Sequence, residues 1–434
     1  MRLVDDLRVL VQKSGFRKLL GVRLVSQCAD GMFQAGLASL FFFRPEAMAD
    51  AAGVAAALVV LLLPYSLVGP FTGPFLDRWR RRQVLFIGNL VRAGLVFLVA
   101  AGMAMIGAGP LVYVLTLTSL GLSRFMLAGL SAGLPMVVGS RARLLMANSV
   151  VPTLGGIATG VGAVVGFLLR LLLPEGASQQ LASLVVSALL YFGAAGVACL
   201  FNKDELGPQQ PDLSTSVSRQ LAATARDLAD AVRYLVRRGT PGLALTTMAL
   251  HRFVYGMELI TIVLAGRNLL VDPSDADAGI AAFGALMGAM VTGHFVAVVL
   301  TPIAHERISP PAWILFCLLG GTIGQILIVV SSWTPCFVAG MFIFGIGVQG
   351  AKIAVDTIVQ SDTADAYRGR AFSIYDVLFN VSECIAAGVA ILVLPNVGWS
   401  RSVQIGLVLF VWLVAAVYWR LMQALGHMPR EVSS

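Results

Sequence analysis

Apolar runs of helix length recur along the whole chain, separated by short polar breaks. A hydrocarbon core about 30 Å thick needs roughly twenty apolar residues per helix. On that measure the pattern predicts twelve spans, near 19–43, 52–76, 84–107, 110–138, 144–173, 178–201, 241–270, 278–304, 312–331, 334–360, 371–394 and 402–424. The one long polar interruption, 202–240, divides them six and six. Its first part, Asn202 to Ser218, holds Gly207, Pro208 and Pro211 and reads as linker. Beyond it Leu221, Ala225, Leu228, Val232 and Leu235 recur at helical spacing, against Arg219, Arg226, Asp227, Asp230, Arg233 and Arg237. That pattern predicts an amphipathic helix lying on the inner membrane surface, serving as a tether or as a regulatory element. The predicted domains are therefore a six-helix bundle over 1–201, a cytoplasmic linker over 202–240, and a second six-helix bundle over 241–434.

Composition agrees with a chain built for lipid. Of 434 residues, 58% are hydrophobic and 12% charged, and the mean hydropathy is +0.84. A soluble domain carries about twice that share of charge. No cleavable leader is expected, because the first span is long, follows a mixed polar segment and carries Asp30. The net charge of +8 raises nucleic acid as a partner, but its distribution argues against one. Arg and Lys cluster before the first span, at Arg78 to Arg82, at Arg141 and Arg143, across 203–238, and at Arg368 and Arg370. All these loops share one side if the spans alternate, which places both termini in the cytoplasm by the positive-inside rule. Cys28, Cys199, Cys317, Cys336 and Cys384 sit in or at the ends of spans without a C-x-x-C and read as packing residues. The sequence offers no metal site, no P-loop and no nucleophile elbow, so neither an enzyme nor a cofactor is expected, and an ion or substrate gradient must supply the energy.

A hidden repeat relates the halves. A shift of 228 carries Asp30 to Glu258, Arg124 to Lys352, and Gly73-Pro74 to Thr301-Pro302. A shift of 227 carries Arg141-Ala-Arg143 to Arg368-Gly-Arg370. Matches of charge in several places at one offset imply two six-helix halves related by a pseudo-two-fold axis along the membrane normal, a parallel repeat.

Ionisable groups within hydrocarbon cost roughly 2.5–3.5 kcal/mol each on insertion scales and mark pathways or partners. At about 1.5 Å per residue, Asp30 and Arg124 both fall near the midplane, and by the repeat so do Glu258 and Lys352. Two readings stay open. In one, Asp30 or Glu258 is a proton carrier while Arg124 or Lys352 holds an anionic or zwitterionic substrate group. In the other, Asp30–Arg124 and Glu258–Lys352 are permanent ion pairs joining helices. Asp356, one turn from Lys352, reads as its structural partner. Gln34 is a further cavity candidate, and Asp376 and Glu383 are cavity residues or solvated inner-gate contacts. His251, Arg252 and His294 read as packed or interfacial, with substrate contact as the alternative, and Arg92 as snorkelling or paired.

Between the second and third spans stands Gly73-Pro74-Phe75-Leu76-Asp77-Arg78-Trp79-Arg80-Arg81-Arg82. A Gly, three residues, Asp-Arg, one residue and two further Arg resembles the loop signature of the major facilitator superfamily of membrane transporters. The resemblance implies an all-α integral membrane protein of twelve transmembrane helices in two bundles, with helices 1, 4, 7 and 10 lining a central cavity. It also implies a gate made by Gly73, Asp77, Arg78, Arg81 and Arg82, in which Asp77 meets the start of helix 11. Leu120-Gly-Leu-Ser-Arg124 resembles the family's helix 4 motif, whose Arg is linked to proton transfer. Gly162-Ala163-Val164-Val165-Gly166 approaches the antiporter motif of helix 5, with Ala163 in the place of proline; packing explains those glycines equally well. Arg368-Gly-Arg370-Ala-Phe-Ser and Ala147-Asn148-Ser149 are similar to the exporter branch.

The resulting expectation is a monomeric, multi-pass transporter of the cell membrane, exporting a small amphiphilic, anionic or zwitterionic molecule against protons. The second reading is a lysophospholipid or glycolipid transporter on the same fold, since members of that kind also carry an acid early in helix 1. The third, from another class, is a non-transporting scaffold or receptor.

Overall fold

The computed structural model describes residues 9–42, 52–56, 58–59, 62, 73–76, 79–107, 109–138, 141–173, 177–207 and 216–426. Among them every regular element is a helix: α1 (Ser14–Phe42), α2 (Arg81–Ile106), α3 (Pro110–Val138), α4 (Arg141–Leu172), α5 (Ala177–Cys199), α6 (Val217–Arg238), α7 (Thr240–Asn268), α8 (Ala276–His305), α9 (Pro310–Val330), α10 (Thr334–Asp362), α11 (Asp365–Val393) and α12 (Arg401–Gly426). One further turn, Gly73–Leu76, precedes α2. A helix satisfies its own N–H and C=O groups, which lipid cannot do for it. Ten helical stretches are long and apolar enough to cross a membrane, in α2 to α5 and α7 to α12, and they coincide with the third to twelfth predicted spans. The first predicted span is α1, which carries Arg17, Lys18, Arg23 and Asp30. The second, 52–76, lies mostly outside the described residues, as do Asp77 and Arg78 of the loop signature. Helix α11 begins earlier than predicted, at Asp365, so Arg368 and Arg370 belong to its first turns.

The chain divides into two compact units, residues 1–41 with 67–224 and residues 42–66 with 225–434. In the first unit α2 packs on α3 and α5, and α4 packs on α3 and α5. Helix α4 also approaches α1 closely, through small residues. A Cβ at Gly162 would overlap the Cys28 carbonyl, and one at Gly31 the Thr159 carbonyl, whereas Gly156 and Gly160 face open space. The small-x-x-x-small spacing of α4 is therefore a packing surface along one stripe. Gly162→Leu should lower thermal stability in detergent by at least the 1–3 kcal/mol typical of overpacking, while Gly156→Leu should leave it unchanged. Equal melting temperatures for the two variants would refute this account of the interface.

The basic run before α2 also has local partners. Arg80 pairs with Asp204 at 2.9 Å, the Arg81 guanidinium donates to the Leu206 carbonyl at 3.0 Å, and Arg82 donates to the Cys199 carbonyl at 3.3 Å. Cys199 ends α5, so Arg82 meets the negative end of that helix. Lys18 adds a pair to Glu205 at 3.2 Å. Residues 202–207, predicted to open the linker, are thus fastened to the first unit, and 208–215 lie outside the described residues.

In the second unit α10 sits between α8 and α9, again through glycine. Cβ atoms at Gly345 and Gly324 would overlap the carbonyls of Met290 and Gly340. Helix α7 packs on α8, α10, α11 and α12. The predicted linker helix exists as α6, and its C-terminal half docks on this unit. Ala231 and Leu235 are buried, and the Tyr234 ring stacks on Tyr367 at 4.2 Å and 4°. The Tyr234 hydroxyl accepts from the Ala364 N–H at 3.0 Å, and Arg370 pairs with Asp227 at 3.3 Å. Val232, predicted on the apolar stripe, is exposed with Val236, because the docking face runs through Ala231, Tyr234 and Leu235. Gly239, at φ +82°, makes the turn from α6 into α7, a conformation that favours glycine.

Candidate functional site

Each unit buries an acid within a membrane-length helix or its equivalent, Asp30 on α1 and Glu258 on α7. In the first unit Asp30, 6% exposed, forms an ion pair with Arg92 of α2, itself 1% exposed. Asp30 Oδ1 also accepts from Ser123 Oγ of α3 and from the Tyr191 hydroxyl of α5, each at 2.9 Å. The Arg92 guanidinium lies over the Tyr191 ring at 3.9 Å and donates to Ser123 Oγ at 3.1 Å. One carboxylate thereby joins α1, α2, α3 and α5, with its charge met by a cation and its lone pairs by hydroxyls.

In the second unit Glu258 of α7 is 1% exposed. Gln325 of α9 donates to its Oε1 at 2.9 Å, and Gln404 of α12 donates to its Oε2 at 3.2 Å. Both partners are neutral, and among the described residues no ion pair reaches Glu258. The layout echoes the first unit. Asp30 is met by side chains from the third, fourth and sixth predicted spans, and Glu258 by side chains from the ninth and twelfth.

A second cluster of the same unit centres on Arg252, two turns from Glu258 along α7. Its guanidinium lies over Tyr255 at 4.0 Å and Phe379 at 4.8 Å, and pairs with Glu383 of α11 at 2.8 Å. Its charge also acts on His251, on His294 of α8 and on Tyr375 of α11. His251 Nδ1 and His294 Nε2 are buried without a hydrogen-bond partner. Lys352 of α10 pairs with Asp356 at 2.7 Å and lies 5.7 Å from the Tyr375 ring centre. The Tyr375 hydroxyl stands beside Asp356 without an aligned hydrogen bond. The cluster combines two cations, two carboxylates, aromatic faces and unmet polar atoms, a set able to hold a charged amphiphile.

Arg92 takes Asp30 and two amides take Glu258, in the places considered for Arg124 and Lys352, whereas Lys352 pairs with Asp356 as its spacing predicted. The reason in the first unit is helical geometry: neighbouring residues on a helix do not share a face, so Ser123 meets Asp30 and half-buried Arg124 does not. Gln34 is half-buried one turn beyond Asp30, and Asp376 stands one residue after Tyr375. Of the gate residues, Gly73, Arg81 and Arg82 lie among the described residues, and the two arginines bind carbonyls of their own unit. Arg252, read from the sequence as packed or interfacial, is packed over Tyr255 and Phe379 and paired with Glu383.

Among the described residues, two helical units with ten membrane-length helices and charge buried at mid-helix have the build of a multi-pass membrane protein. The chain belongs to the Major Facilitator Superfamily, whose profile matches residues 24–387. It is 34% identical over 400 residues to an uncharacterised MFS-type transporter of Mycobacterium tuberculosis, Rv0037c, covering 91% of this chain and 88% of that one. The same values hold for the uncharacterised MFS-type transporter Mb0038c of Mycobacterium bovis. Among solved structures, the nucleoside transporter NupG superposes with a TM-score of 0.67 at 14% identity, over 94% of this chain and 99% of that one. A POT family transporter in complex with a thioalcohol-conjugated peptide gives 0.65 at 12% identity, over 93% and 96%. At those identities the likeness is one of fold.

Proposed function

We propose that this protein is a proton-coupled exporter of a small amphiphilic molecule bearing an anionic or zwitterionic group, working by alternating access between two halves built on one six-helix plan. The unmet polar groups around Arg252 carry this reading. A bundle in lipid keeps cations, carboxylates and orphaned imidazole nitrogens inside only where they meet a partner or line a path. In this scheme Arg252 and Lys352 hold the anionic group of the substrate, and Glu383 and Asp356 hold those cations between turnovers. Tyr255, Tyr375 and Phe379 supply faces for its apolar part. Glu258 is the proton carrier, because it can change protonation without breaking an ion pair. Asp30, tied to Arg92, is structural. Arg124, Gln34 and Asp376 complete the cavity lining, Asp77 and Arg78 gate it with the basic run, and both termini are cytoplasmic.

The test is untargeted mass spectrometry of medium, cytosol and membrane lipids, comparing cells lacking the protein with cells expressing wild type or Glu258→Gln. A soluble anionic or zwitterionic compound that reaches the medium only with wild type supports the proposal and names the substrate. A change confined to lipids replaces it with lipid transport, and no difference in any fraction leaves a scaffold role. Once a substrate is known, Arg252→Lys should raise its apparent KM about tenfold with little change in maximal rate. Lysine keeps the charge but loses the planar fork stacked between two rings, an interaction of roughly 1–2 kcal/mol. An unchanged KM would remove Arg252 from the substrate site.

A further inference from the structure

The arrangement around Glu258 leaves two atoms unexplained. Gln325 and Gln404 each present the amide nitrogen to the carboxylate, and the carbonyl oxygens of both, Gln325 Oε1 and Gln404 Oε1, are buried without a hydrogen-bond partner. Buried carbonyls are seldom left unmet, and each such group costs about 1–3 kcal/mol. A primary amide offers a donor on one side and an acceptor on the other. A half-turn about its last bond exchanges them with almost no change in shape.

We infer that Gln325 and Gln404 are positioning residues for the protonation cycle of Glu258, and that at least one carboxamide turns over when the acid takes up a proton. With Glu258 ionised, both amides donate, as seen here. With Glu258 protonated, its new O–H needs an acceptor, and a turned carboxamide supplies its carbonyl oxygen. Both states of the acid are then hydrogen-bonded by the same two side chains, and α7 stays joined to α9 and α12 in each. A cation in their place would serve one state only. His251, Arg252, Glu383, His294, Lys352, Asp356 and Tyr418 occupy α7 itself or elements packed on it, yet the groups acting on Glu258 are the two carboxamides. The inference rests on the reading of Glu258 as the proton carrier.

Infrared difference spectroscopy tests it without a known substrate. The full-length protein in lipid nanodiscs is taken through a pH step, with glutamine carrying 13C at the side-chain carbonyl in a parallel sample. Wild type should show a carboxylic-acid carbonyl band that Glu258→Gln lacks, accompanied by an isotope-sensitive amide carbonyl signal. In Gln325→Leu with Gln404→Leu the amide signal should vanish, and the acid band should move to higher frequency as its O–H loses an acceptor. The isotope arm needs no substitution, so a poorly folding variant does not weaken the test. A Glu258 band with no amide signal, unmoved in the double variant, would overturn the inference and leave the proton carrier standing. No Glu258-dependent band at any pH would overturn both.

Discussion

Glu258→Gln is expected to abolish concentrative transport while leaving the protein folded and able to exchange substrate down its gradient. The replacement keeps the shape of the side chain and makes a third carboxamide beside Gln325 and Gln404, each able to donate and accept. What it removes is the single titratable group of that cluster. A pH difference of one unit is worth about 1.4 kcal/mol per proton, or about a tenfold substrate gradient. In liposomes with such a gradient imposed, wild type should build roughly that ratio per coupled proton and the variant a ratio of one. Counterflow of labelled against unlabelled substrate should persist in the variant, because it needs no net proton movement. A variant that still accumulates substrate tenfold would transfer the coupling role elsewhere, and Asp30 would be the next residue to neutralise.

The elements were legible because lipid enforces them. Twenty apolar residues in a row have few structures open to them, and the third to twelfth predicted spans reappear as helices. The linker helix was legible from the spacing of Leu221, Leu228 and Leu235. Its docking face was not, because Val232 and Leu235 are equally apolar and only the surface of the unit beneath decides which is covered. The same limit governs the buried charges. Sequence marks Asp30, Arg92, Arg124, Glu258 and Lys352 as costly in hydrocarbon, but depth along a span does not fix the direction in which a side chain points. Pairing by expected depth joined Asp30 to Arg124, whereas the residue before that arginine, Ser123, is the one whose side chain reaches Asp30. The glutamines beside Glu258 carry no charge and gave no signal at all, although they complete the most buried acid among the described residues of the second unit.

Asp30 and Arg92 lead to the second large effect, and it is asymmetric. Breaking a buried pair by removing one partner costs about 3–5 kcal/mol, because an uncompensated charge stays behind, whereas replacing both by apolar residues is often neutral. The two single losses are unequal here. In Arg92→Leu the remaining Asp30 still accepts from Ser123 and Tyr191, and a carboxyl left alone can shed its charge by taking up a proton. In Asp30→Leu the remaining guanidinium cannot lose its proton, and keeps its charge beside the Tyr191 ring and hydroxyl and Ser123, which carry no opposite charge. Asp30→Leu should therefore give the lower melting temperature and yield, Arg92→Leu a smaller loss that lessens as pH falls, and the double variant a stability closer to wild type than either. Thermal unfolding of the four proteins in one detergent, at two pH values, measures all three terms of this cycle. If Asp30→Leu melts with wild type but loses transport, Asp30 moves from tie to carrier, and the division of labour between the two buried acids reverses.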